Sequence, residues 1–422
     1  MLTLEQSTTT PEIADRLLTT GLDYYKPTMS QLVHEQEPDA LVTFTFHNRG
    51  EQRLLDYVDP ANLQQRFEQL RQTGWQASEL AYLGGLCMSD GAPVFCPAYL
   101  EYLQQYELPE VTIGFDAEKN DMTIETTGPW ALSTFWETIV MSEVNESYFE
   151  SYLHKHELDP YAVYDEGDRR MSEKIAILQA NPGIKFADFG TRRHFSLRWQ
   201  QHVIERLMQE CPYNLVGTSN VGLAQQFGIK PIGTFAHELP MIYAGLADIR
   251  GESIRVSHGQ LLDDWYARYG KDLSVALTDT FTTDFFFSDF TPEQAEQWRG
   301  VRQDSGDPVA FGEDLIGFYN DLRINPLEKT VVFSDGLDIG QIVSLQRHFA
   351  GRINVLFGWG TTLTNDMGIK PLNVVMKATH VQLPGLGEAD TVKLSDTAGK
   401  HTGPLPQVLR YMDIFKPGGV KE

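Results

Sequence analysis

The stretch "TVVFSDGLDIGQIVSLQRHFAGRINVLFGWGT" (330–361) decides the fold. Its apolar runs 330–338 and 353–361 have the length of buried strands, and the apolar residues of 339–349 between them have helical spacing. This order predicts two parallel strands joined by a right-handed crossover. Similar runs alternate with helical segments such as 196–210 and 311–323 over the rest of the second half: 184–190, 214–220, 231–238, 273–280, 300–307 and 372–381. About eight strand–helix units predict a (β/α) barrel.

The first third of the chain has a different pattern. Residues 40–48 are typical of a strand, 62–74 of an amphipathic helix, 109–130 of a β-hairpin and 132–156 of a long, mostly apolar helix. Strands and helices that do not alternate regularly predict an α+β unit. We therefore expect an α/β protein with two structural parts, an α+β part followed by the barrel.

Composition limits the classes of function. The chain has 422 residues and a formal net charge of −24, which repels nucleic acid and anionic membranes. No apolar run reaches the ~20 residues that span a bilayer, and residues 1–18 lack the basic start and apolar centre of a signal peptide. Cys87, Cys96 and Cys211 match no metal motif. We expect a reducing, cytoplasmic compartment, with neither nucleic acid nor membrane as a partner.

Nearly every apolar run in the second half ends in Gly, Ser, Thr, Asp, Asn or Arg. In a barrel these ends meet at the C-terminal face, where the active sites of barrels lie. The alternative is that each polar residue only caps a helix or forms a turn. Because the pattern recurs in run after run, it favours a shared site.

Carboxylates stand at several of these ends. Asp335 and Asp338 follow one strand, Asp304 and Asp307 follow another together with Arg302, and Asp279 follows a third. Such carboxylates hold a divalent cation or accept hydrogen bonds from sugar hydroxyls. Taken one at a time, each is equally well explained as a helix cap.

Three further segments carry candidate binding groups. The loop "FGWGTTLTND" (357–366) exposes backbone N–H groups and hydroxyls that suit a phosphate, although a tight turn is the alternative. In "DFGTRRHFS" (188–196), Phe189 suits stacking on a flat ring or a place in the core, and Arg192 suits a carboxylate or phosphate. The run 231–238 ends on His237 and Glu238, and a buried strand does not need a titratable ring at its tip.

Seven motifs, in this order along the chain, resemble the nicotinate phosphoribosyltransferase family of bacteria. They span roughly residues 22–400 and read "YYKPTM", "DFGTRR", "GTSNVGLA", "PIGTFAHE", "VRQDSGDP", "VVFSDGLD" and "FGWGTTLTND". The resemblance implies an irregular (β/α) barrel over 146–384. It also implies an α+β domain over 1–145 that the tail 385–422 joins, and a homodimer with active sites at the subunit interface.

The resemblance further implies the reaction. Such enzymes join nicotinate to 5-phosphoribosyl 1-diphosphate (PRPP), giving nicotinate mononucleotide and diphosphate, in the salvage of NAD from nicotinate. Mg²⁺ takes part, and ATP is hydrolysed as a co-substrate through a transiently phosphorylated histidine. His237 stands at the position of that phosphohistidine. A neutral imidazole is a good nucleophile near pH 7, and Asp279 or Asp304 is expected to orient it, because Glu238 on a strand would point the opposite way.

The other site residues follow from the resemblance one at a time. Phe189 resembles the residue that stacks on one face of the pyridine ring, and Tyr25 the one that covers the other face from the partner subunit. Arg192 and Arg302 resemble the arginines near the nicotinate carboxylate and the diphosphate. Asp335, with Asp304 beside it, resembles the carboxylate that binds ribose. The loop that binds the 5-phosphate is matched by Gly358, Gly360 and Thr361.

Ser219 bears on the choice of substrate. Relatives that use nicotinamide have an aspartate at this position, which accepts a hydrogen bond from the amide. A serine donates to a carboxylate, whereas an aspartate repels it. Nicotinate is therefore favoured over nicotinamide, and a quinolinate-using enzyme fits less well because it needs no phosphorylated histidine. A non-catalytic barrel that binds a phosphoribosyl ligand is the alternative from another class. The roles of Lys377, Lys393 and Lys400, and the metal ligands, stay open.

Overall fold

The computed structural model describes residues 17–397 and 400–417, which form two β-sheets with helices around them. Residues 1–16, where the sequence predicts no signal peptide, lie outside the described residues, as do parts of the motif 392–400 and of the tail. None of the described helices is long and apolar enough to cross a membrane. The three cysteines are free.

One sheet has six parallel strands and carries most of the predicted alternating runs. Its order is β5-β4-β9-β8-β7-β6, and both faces of its central strands are buried, which explains continuous apolar runs such as "TVVF". Val331 pairs with Val355 and Phe333 with Phe357 in the two strands of the opening stretch. The strands are β4 (Phe186–Asp188), β5 (Leu215–Thr218), β6 (Val275–Leu277), β7 (Gly300–Gln303), β8 (Thr330–Phe333) and β9 (Asn354–Trp359).

The second sheet has five antiparallel strands in the order β11-β10-β1-β3-β2. Residues of β1 alternate between buried and partly exposed, as expected for a sheet with one covered face. The predicted strand 40–48 and hairpin 109–130 are confirmed here. The strands are β1 (Leu41–Asn48), β2 (Val111–Asp116), β3 (Asp121–Pro129), β10 (Val374–Leu383) and β11 (Gly387–Asp390).

Two of the eight predicted parallel strands are wrong. The run 372–381 belongs to β10, which pairs antiparallel with β1 in the second sheet. The run 231–238 is an extended segment with one isolated bridge, between Thr218 and Pro231, because two prolines and two glycines interrupt the residues around it and weaken strand pairing. A parallel sheet is thus confirmed, whereas its closure into a barrel stays a prediction.

The helices fill the crossovers and cover the sheets. The predicted segments 62–74, 132–156, 196–210, 311–323 and 339–349 are helical to within a few residues. The full set is α1 (Tyr25–Gln36), α2 (Pro60–Thr73), α3 (Ala77–Gly85), α4 (Pro97–Gln105), α5 (Trp130–Ser133), α6 (Trp136–Lys155), α7 (Pro160–Ala180), α8 (Leu197–Glu210), α9 (Val221–Phe227), α10 (Glu238–Arg250), α11 (Val256–Tyr269), α12 (Thr283–Asp289), α13 (Pro292–Gln297), α14 (Pro308–Asp321), α15 (Ile339–Phe349), α16 (Thr361–Thr364) and α17 (Leu405–Ile414).

Side-chain caps fix where several of these helices begin. Asp338 caps α15 in a reciprocal capping box with Gln341, and Asp307 accepts bonds from two backbone N–H groups of α14. Ser196 and Asn220 cap α8 and α9 in the same way. For these four residues the cap interpretation of the polar strand ends is therefore correct, and the remaining polar ends are left for the site.

The approach of β7 to β8 gives a test of the parallel sheet. A Cβ on Gly300 would lie 1.8 Å from the carbonyl oxygen of Thr330, so Gly300→Ala must separate the two strands. We expect it to lower the free energy of unfolding by on the order of 3 kcal/mol, measured by chemical denaturation. Gly317→Ala is the control, since nothing lies within 4 Å of that Cβ at an exposed position of α14 and alanine stabilises a helix by up to ~1 kcal/mol relative to glycine. Equal effects of the two changes would contradict the tight strand packing.

Candidate active site

The carboxyl ends of the parallel strands supply the polar residues that do not act as caps. Asp279 follows β6, Asp304 follows β7 and Asp335 follows β8. The segment 231–238 crosses near the same edge and brings His237 to the start of α10. The predicted convergence of strand ends thus holds for Asp279, Asp304 and His237, whose potential ligand atoms all lie within 4.8 Å of one another.

His237 is 5% exposed and both of its ring nitrogens have partners. Nδ1 lies 2.9 Å from the Thr280 hydroxyl. Nε2 lies 3.2 Å from Asp304 Oδ2 and 2.9 Å from the ammonium of Lys393. The more distant Asp279 Oδ1 is 3.7 Å away. Of the two carboxylates predicted to orient the ring, Asp304 makes the closer contact.

The surroundings keep the His237 ring neutral. Burial, followed by the nearby Lys393 ammonium, lowers the pKa of His237 to about 4, although Asp279 and Asp304 act in the opposite direction. A neutral imidazole offers a lone pair on one nitrogen at pH 7. Burial disfavours the Asp304 carboxylate, but Arg302 and His237 outweigh it and hold the pKa of Asp304 well below its usual range.

Lys393 and Arg302 complete this cluster. Lys393 also lies 3.0 Å from Asp279 Oδ2, which accepts a hydrogen bond from Ser305 at 2.7 Å. Arg302 donates to Asp304 Oδ1 and to the Ser334 hydroxyl, each at 2.8 Å. Each carboxylate in contact with the histidine is therefore also in contact with a cation.

His237, Asp279 and Asp304 form the only group of potential metal ligands found in the described part of the chain. Mg²⁺ prefers six oxygen ligands in octahedral geometry, whereas this group offers a nitrogen and already holds the Lys393 ammonium between His237 and Asp279. The group therefore does not fit a resident Mg²⁺ ion.

A second charged cluster lies on the other side of His237. Lys26 is fully buried and lies 2.6 Å from both Glu137 Oε2 and Glu238 Oε2. Trp130 Nε1 donates to the other oxygen of Glu238 at 2.6 Å. Burial disfavours the Glu137 carboxylate, but Lys26, Lys377 and other cations outweigh it and lower its pKa to about 2. These contacts tie α1, α6 and α10 together around one ammonium.

The two clusters enclose a small pocket. Five of its lining residues were predicted as site residues, namely Tyr25, Arg192, His237, Arg302 and Asp304, and the others are Glu137, Ala236, Glu238, Met241, Lys377 and Ala378. Glu238 does not orient the histidine, as expected, because its carboxylate accepts from Lys26 and Trp130 instead, but the strand geometry from which this was expected is wrong. Residue 238 begins helix α10 instead of continuing a strand, so the alternation of side chains along a strand does not apply to it.

Aromatic rings and arginines lie against each other in this region. The Arg192 guanidinium lies 5.7 Å from the ring centroid of Tyr25 in the same chain, and the Arg302 guanidinium lies 5.7 Å from the ring of Phe189. The Tyr25 hydroxyl is buried and has no hydrogen-bond partner among the described residues. A Cβ on Gly358 would lie 2.4 Å from the Phe189 ring. This glycine is therefore needed to seat the aromatic ring.

Ser219 lies behind the pocket rather than in its lining. It is buried, and its hydroxyl donates to Asp23 Oδ1 at 2.6 Å. Asp23 Oδ2 in turn lies 3.2 Å from Arg192 Nε. Ser219 is thus linked to the pocket through Asp23 and Arg192, and a carboxylate at position 219 would lie next to Asp23.

Two other predicted groups lie outside the pocket lining. Asp335 is half-buried, and its nearest cation is Lys400 at 3.7 Å. Burial, which Lys400 partly offsets, raises the pKa of the Asp335 carboxyl. Gly360 precedes the short helix α16, which Thr361 begins. The phosphate-binding role of Gly358, Gly360 and Thr361 stays a prediction.

Sequence reasoning missed several residues of the site. Lys26 stands inside the motif "YYKPTM" but was given no role, Glu137 stands in a helical stretch without a motif, and Thr280 follows the predicted Asp279 by one residue. Lys377 and Lys393 were noted without a role. The one available signal was their position: in a chain of net charge −24, a lysine inside an apolar strand such as "VVMKATHV" needs a nearby carboxylate.

Comparisons with known proteins agree on one family. A model of the family described as "Nicotinate phosphoribosyltransferase (NAPRTase) family" matches residues 184–403, and a model of its N-terminal domain matches residues 20–145. The chain is 39% identical over 406 residues to the nicotinate phosphoribosyltransferase of Chromobacterium violaceum, covering 93% of this chain and 95% of that protein. It is 35% identical over 399 residues to that of Desulforapulum autotrophicum, covering 94% and 98%.

Solved structures give the same result. A crystal structure of nicotinate phosphoribosyltransferase from Porphyromonas gingivalis superposes with a TM-score of 0.84 at 30% identity, over 95% of this chain and 99% of that one. The corresponding structure from Vibrio cholerae gives a TM-score of 0.78 at 31% identity, over 96% and 94%.

The low pKa of His237 can be measured by NMR titration of its ring protons, assigned with His237→Gln. We expect the ring to stay neutral down to pH 5. Unfolded histidine binds a proton near pH 6.5, so the unfolded chain binds more protons than the folded one between pH 6.5 and about 4. Protonation of the unfolded chain lowers the free energy of unfolding as pH falls. The loss is absent well above pH 6.5 and reaches about 2 kcal/mol at pH 5. A midpoint near 6.5 in the folded protein would refute this.

The buried Lys26 cluster predicts a large effect of one substitution. Lys26→Met leaves Glu137 and Glu238 buried without their shared ammonium, and we expect a loss of roughly 3–5 kcal/mol in the free energy of unfolding. Adding Glu137→Gln and Glu238→Gln to Lys26→Met should restore part of the loss, because it removes the unpaired charges. A loss below ~1 kcal/mol in the single variant would mean that the ion pairs are not needed.

Proposed function

The chain belongs to the nicotinate phosphoribosyltransferase family, and from this premise we propose how its site transfers 5-phosphoribosyl from PRPP to nicotinate. The products are nicotinate mononucleotide and diphosphate, and the reaction serves NAD salvage from nicotinate. The observation that carries the proposal is the neutral His237 ring, held by Thr280, Asp304 and Lys393 beside a pocket that contains Tyr25 and Arg192.

We assign nicotinate to the side of the pocket near Arg192. The guanidinium suits the carboxylate of the substrate, and Phe189 and Tyr25 suit the faces of its ring. Holding the ring in this way aligns its nitrogen with C1 of the ribose. Arg192 is itself positioned by Asp23, which Ser219 holds by a hydrogen bond. Ser219 therefore supports nicotinate use by orienting Arg192.

We assign PRPP to the carboxyl ends of β7, β8 and β9. The bond between C1 and diphosphate breaks as the bond from the pyridine nitrogen to C1 forms, through a state with positive charge on the ribose. Asp304 and Asp335 stabilise that charge, and Arg302 stabilises the departing diphosphate. The loop of Gly358, Gly360 and Thr361 takes the 5-phosphate. The Mg²⁺ that the resemblance implies would be supplied together with the substrate's diphosphate, since the histidine and carboxylate group found among the described residues does not fit it.

ATP acts through His237. A lone pair of the neutral ring attacks the γ-phosphorus, so that an N–P bond forms, the bond to the bridging oxygen breaks and ADP leaves. The neutral ring has two tautomers. With the proton on Nδ1, the ring donates to the Thr280 hydroxyl and Nε2 accepts from Lys393. With the proton on Nε2, the ring donates to Asp304 and Nδ1 accepts from the Thr280 hydroxyl. In either tautomer the partners hold the ring in one orientation. The phosphorylated state tightens PRPP binding or shifts the equilibrium toward product.

Finer points of architecture complete the proposal. We propose that 231–238 closes the parallel sheet into an irregular barrel, since Pro231 bridges to Thr218 at the end of β5 and His237 reaches Thr280 just after β6. The domains follow the predicted limits 1–145 and 146–384, with β10 in the N-terminal sheet as an exception. The enzyme acts as a cytoplasmic homodimer. Tyr25 already lies beside Arg192 of its own chain, so its contribution to a partner's site rests on the resemblance alone.

The test is formation of nicotinate mononucleotide from nicotinate, PRPP and Mg²⁺, with and without ATP. Wild type should form product and be stimulated by ATP, whereas His237→Ala should lose the stimulation. Phosphate transferred from γ-labelled ATP should be acid-labile and base-stable in wild type and absent from the variant. His154→Ala, which changes an exposed histidine at the end of α6, is the control.

Other outcomes of this assay would correct the proposal. If product formation depended neither on ATP nor on His237, the phosphoribosyl transfer would stand and the histidine would have only a structural role. Product from nicotinamide but not from nicotinate would overturn the substrate. Thermal stabilisation by PRPP without diphosphate release would favour a non-catalytic binding protein.

A further inference from the structure

Lys377 is a cation of the pocket that the mechanism above does not use. It lies on β10, opposite Thr45 of β1, and its side chain is 22% exposed. Its ammonium donates no hydrogen bond to any described residue, and the nearest carboxylate oxygen, Glu137 Oε1, is 4.0 Å away. That distance is beyond a hydrogen bond.

Arg192 faces the same oxygen from another element. Its NH1 group lies 3.8 Å from Glu137 Oε1, again beyond hydrogen-bond distance. The other Glu137 oxygen is bound by Lys26 at 2.6 Å. Two cations, one from β10 and one from the segment after β4, are thus directed at one place without making a direct bond there.

The neighbourhood of these two cations suits a flat ring better than a phosphate. Tyr25, Ala236, Met241 and Ala378 line the same pocket and give it aromatic and small apolar walls. The glycine and threonine loop assigned to the 5-phosphate does not contribute to this lining. An anionic group on an aromatic ring is therefore the ligand chemistry that fits both parts of the pocket.

Charge balance supports the same ligand. Lys26, Arg192 and Lys377 lie among three carboxylates, those of Asp23, Glu137 and Glu238. Without Lys377 the carboxylates would outnumber the cations, and the excess negative charge would repel an anionic ligand. Burial lowers the pKa of Lys377 to about 8, an effect that Glu137 partly offsets, and the amine is therefore still mainly charged at neutral pH.

We propose that Lys377 is a specificity-determining residue that binds the substrate's carboxylate together with Arg192. A carboxylate placed between the two cations gains the direct bonds that Glu137 does not make, and Glu137 serves as their counter-ion when the pocket is empty. A neutral amide gains less from an ammonium, so Lys377 adds to the preference for nicotinate over nicotinamide. The inference rests on the proposed transfer to nicotinate.

The test separates charge from packing. Lys377→Met keeps most of the side-chain volume but removes the charge, and Lys377→Arg keeps the charge. We expect Lys377→Met to raise the KM for nicotinate at least roughly tenfold, the cost of losing a charged hydrogen bond, while the KM for PRPP changes less than about threefold. Lys377→Arg should recover part of the loss. Lys271→Met is the charge-matched control, because that exposed lysine precedes β6 at the opposite end of the strand from Asp279.

Binding of substrate-shaped probes supplies a readout independent of turnover. Benzoate and benzamide share a ring and differ in charge, and their binding can be followed by calorimetry or by competition with nicotinate. Lys377→Met should weaken benzoate by a factor similar to the change in KM and leave benzamide unchanged.

Three results would overturn the inference. Equal weakening of benzoate and benzamide would show that the Lys377 stem only packs, and a selective rise in the KM for PRPP would make it a phosphate ligand. Unchanged KM values and unchanged binding of both probes would show that Lys377 does not take part in the site. Failure of the wild type to convert nicotinate is a different result, which would contradict the proposed function. In that case the binding of benzoate and benzamide still reports whether this pocket selects a carboxylate.

Discussion

The fully buried ammonium of Lys26 is the interaction on which the pocket depends. It lies 2.6 Å from carboxylates of α6 and α10, so helices from three distant parts of the sequence converge on one charge. A buried charge without partners costs several kcal/mol, and this cost forbids arrangements in which any of the three helices moves away. Because Glu238 follows His237 directly, fixing its side chain also fixes the backbone that carries the histidine.

A strongly acidic chain thereby maintains a locally balanced site. Its net charge is −24, yet each carboxylate in contact with His237 also contacts a lysine or an arginine. The histidine is the group that stays uncharged among them, because burial and the Lys393 ammonium both disfavour its protonation. A phosphoryl group arriving at this ring would meet cations already held in place by the same carboxylates, which reduces the reorganisation that accompanies its transfer.

The sequence predicts the fold where the spacing of the apolar residues and the length of the segment indicate the same kind of element. Segment 339–349 is helical over its whole predicted length, and the runs around it are neighbouring parallel strands. The prediction fails where pairing with a strand distant in the sequence decides the structure. Run 372–381 has the composition of a buried parallel strand, but its partner β1 lies more than three hundred residues earlier, and local pattern carries no information about that pairing. Run 231–238 is apolar, yet Pro231 and Gly233 within it, with Gly228 and Pro240 beside it, prevent regular pairing.

The same distinction applies to the site. Residues at strand ends, such as Asp304, are predictable because parallel strands bring their ends together. Lys26, Glu137 and Lys377 come from α1, α6 and β10, which reach the pocket only through tertiary packing. Ser219 shows a third case. Its predicted contact with the substrate is replaced by a hydrogen bond from its hydroxyl to Asp23, so its link to the pocket is indirect and its effect on substrate choice stays a prediction.

The pairing of β10 with β1 has a consequence for how the protein is made. A ribosome that adds about 5–20 residues per second needs roughly 15 s to 1 min to travel from the end of β1 to the start of β10. Throughout that interval one hydrogen-bonding edge of β1 has no native partner, while the apolar face formed by Val42, Phe44 and Phe46 already needs cover. An unpaired edge of this kind invites pairing with other chains. A shortened product of translation that stops before β10 lacks both the partner of this edge and the strand that brings Lys377 to the pocket.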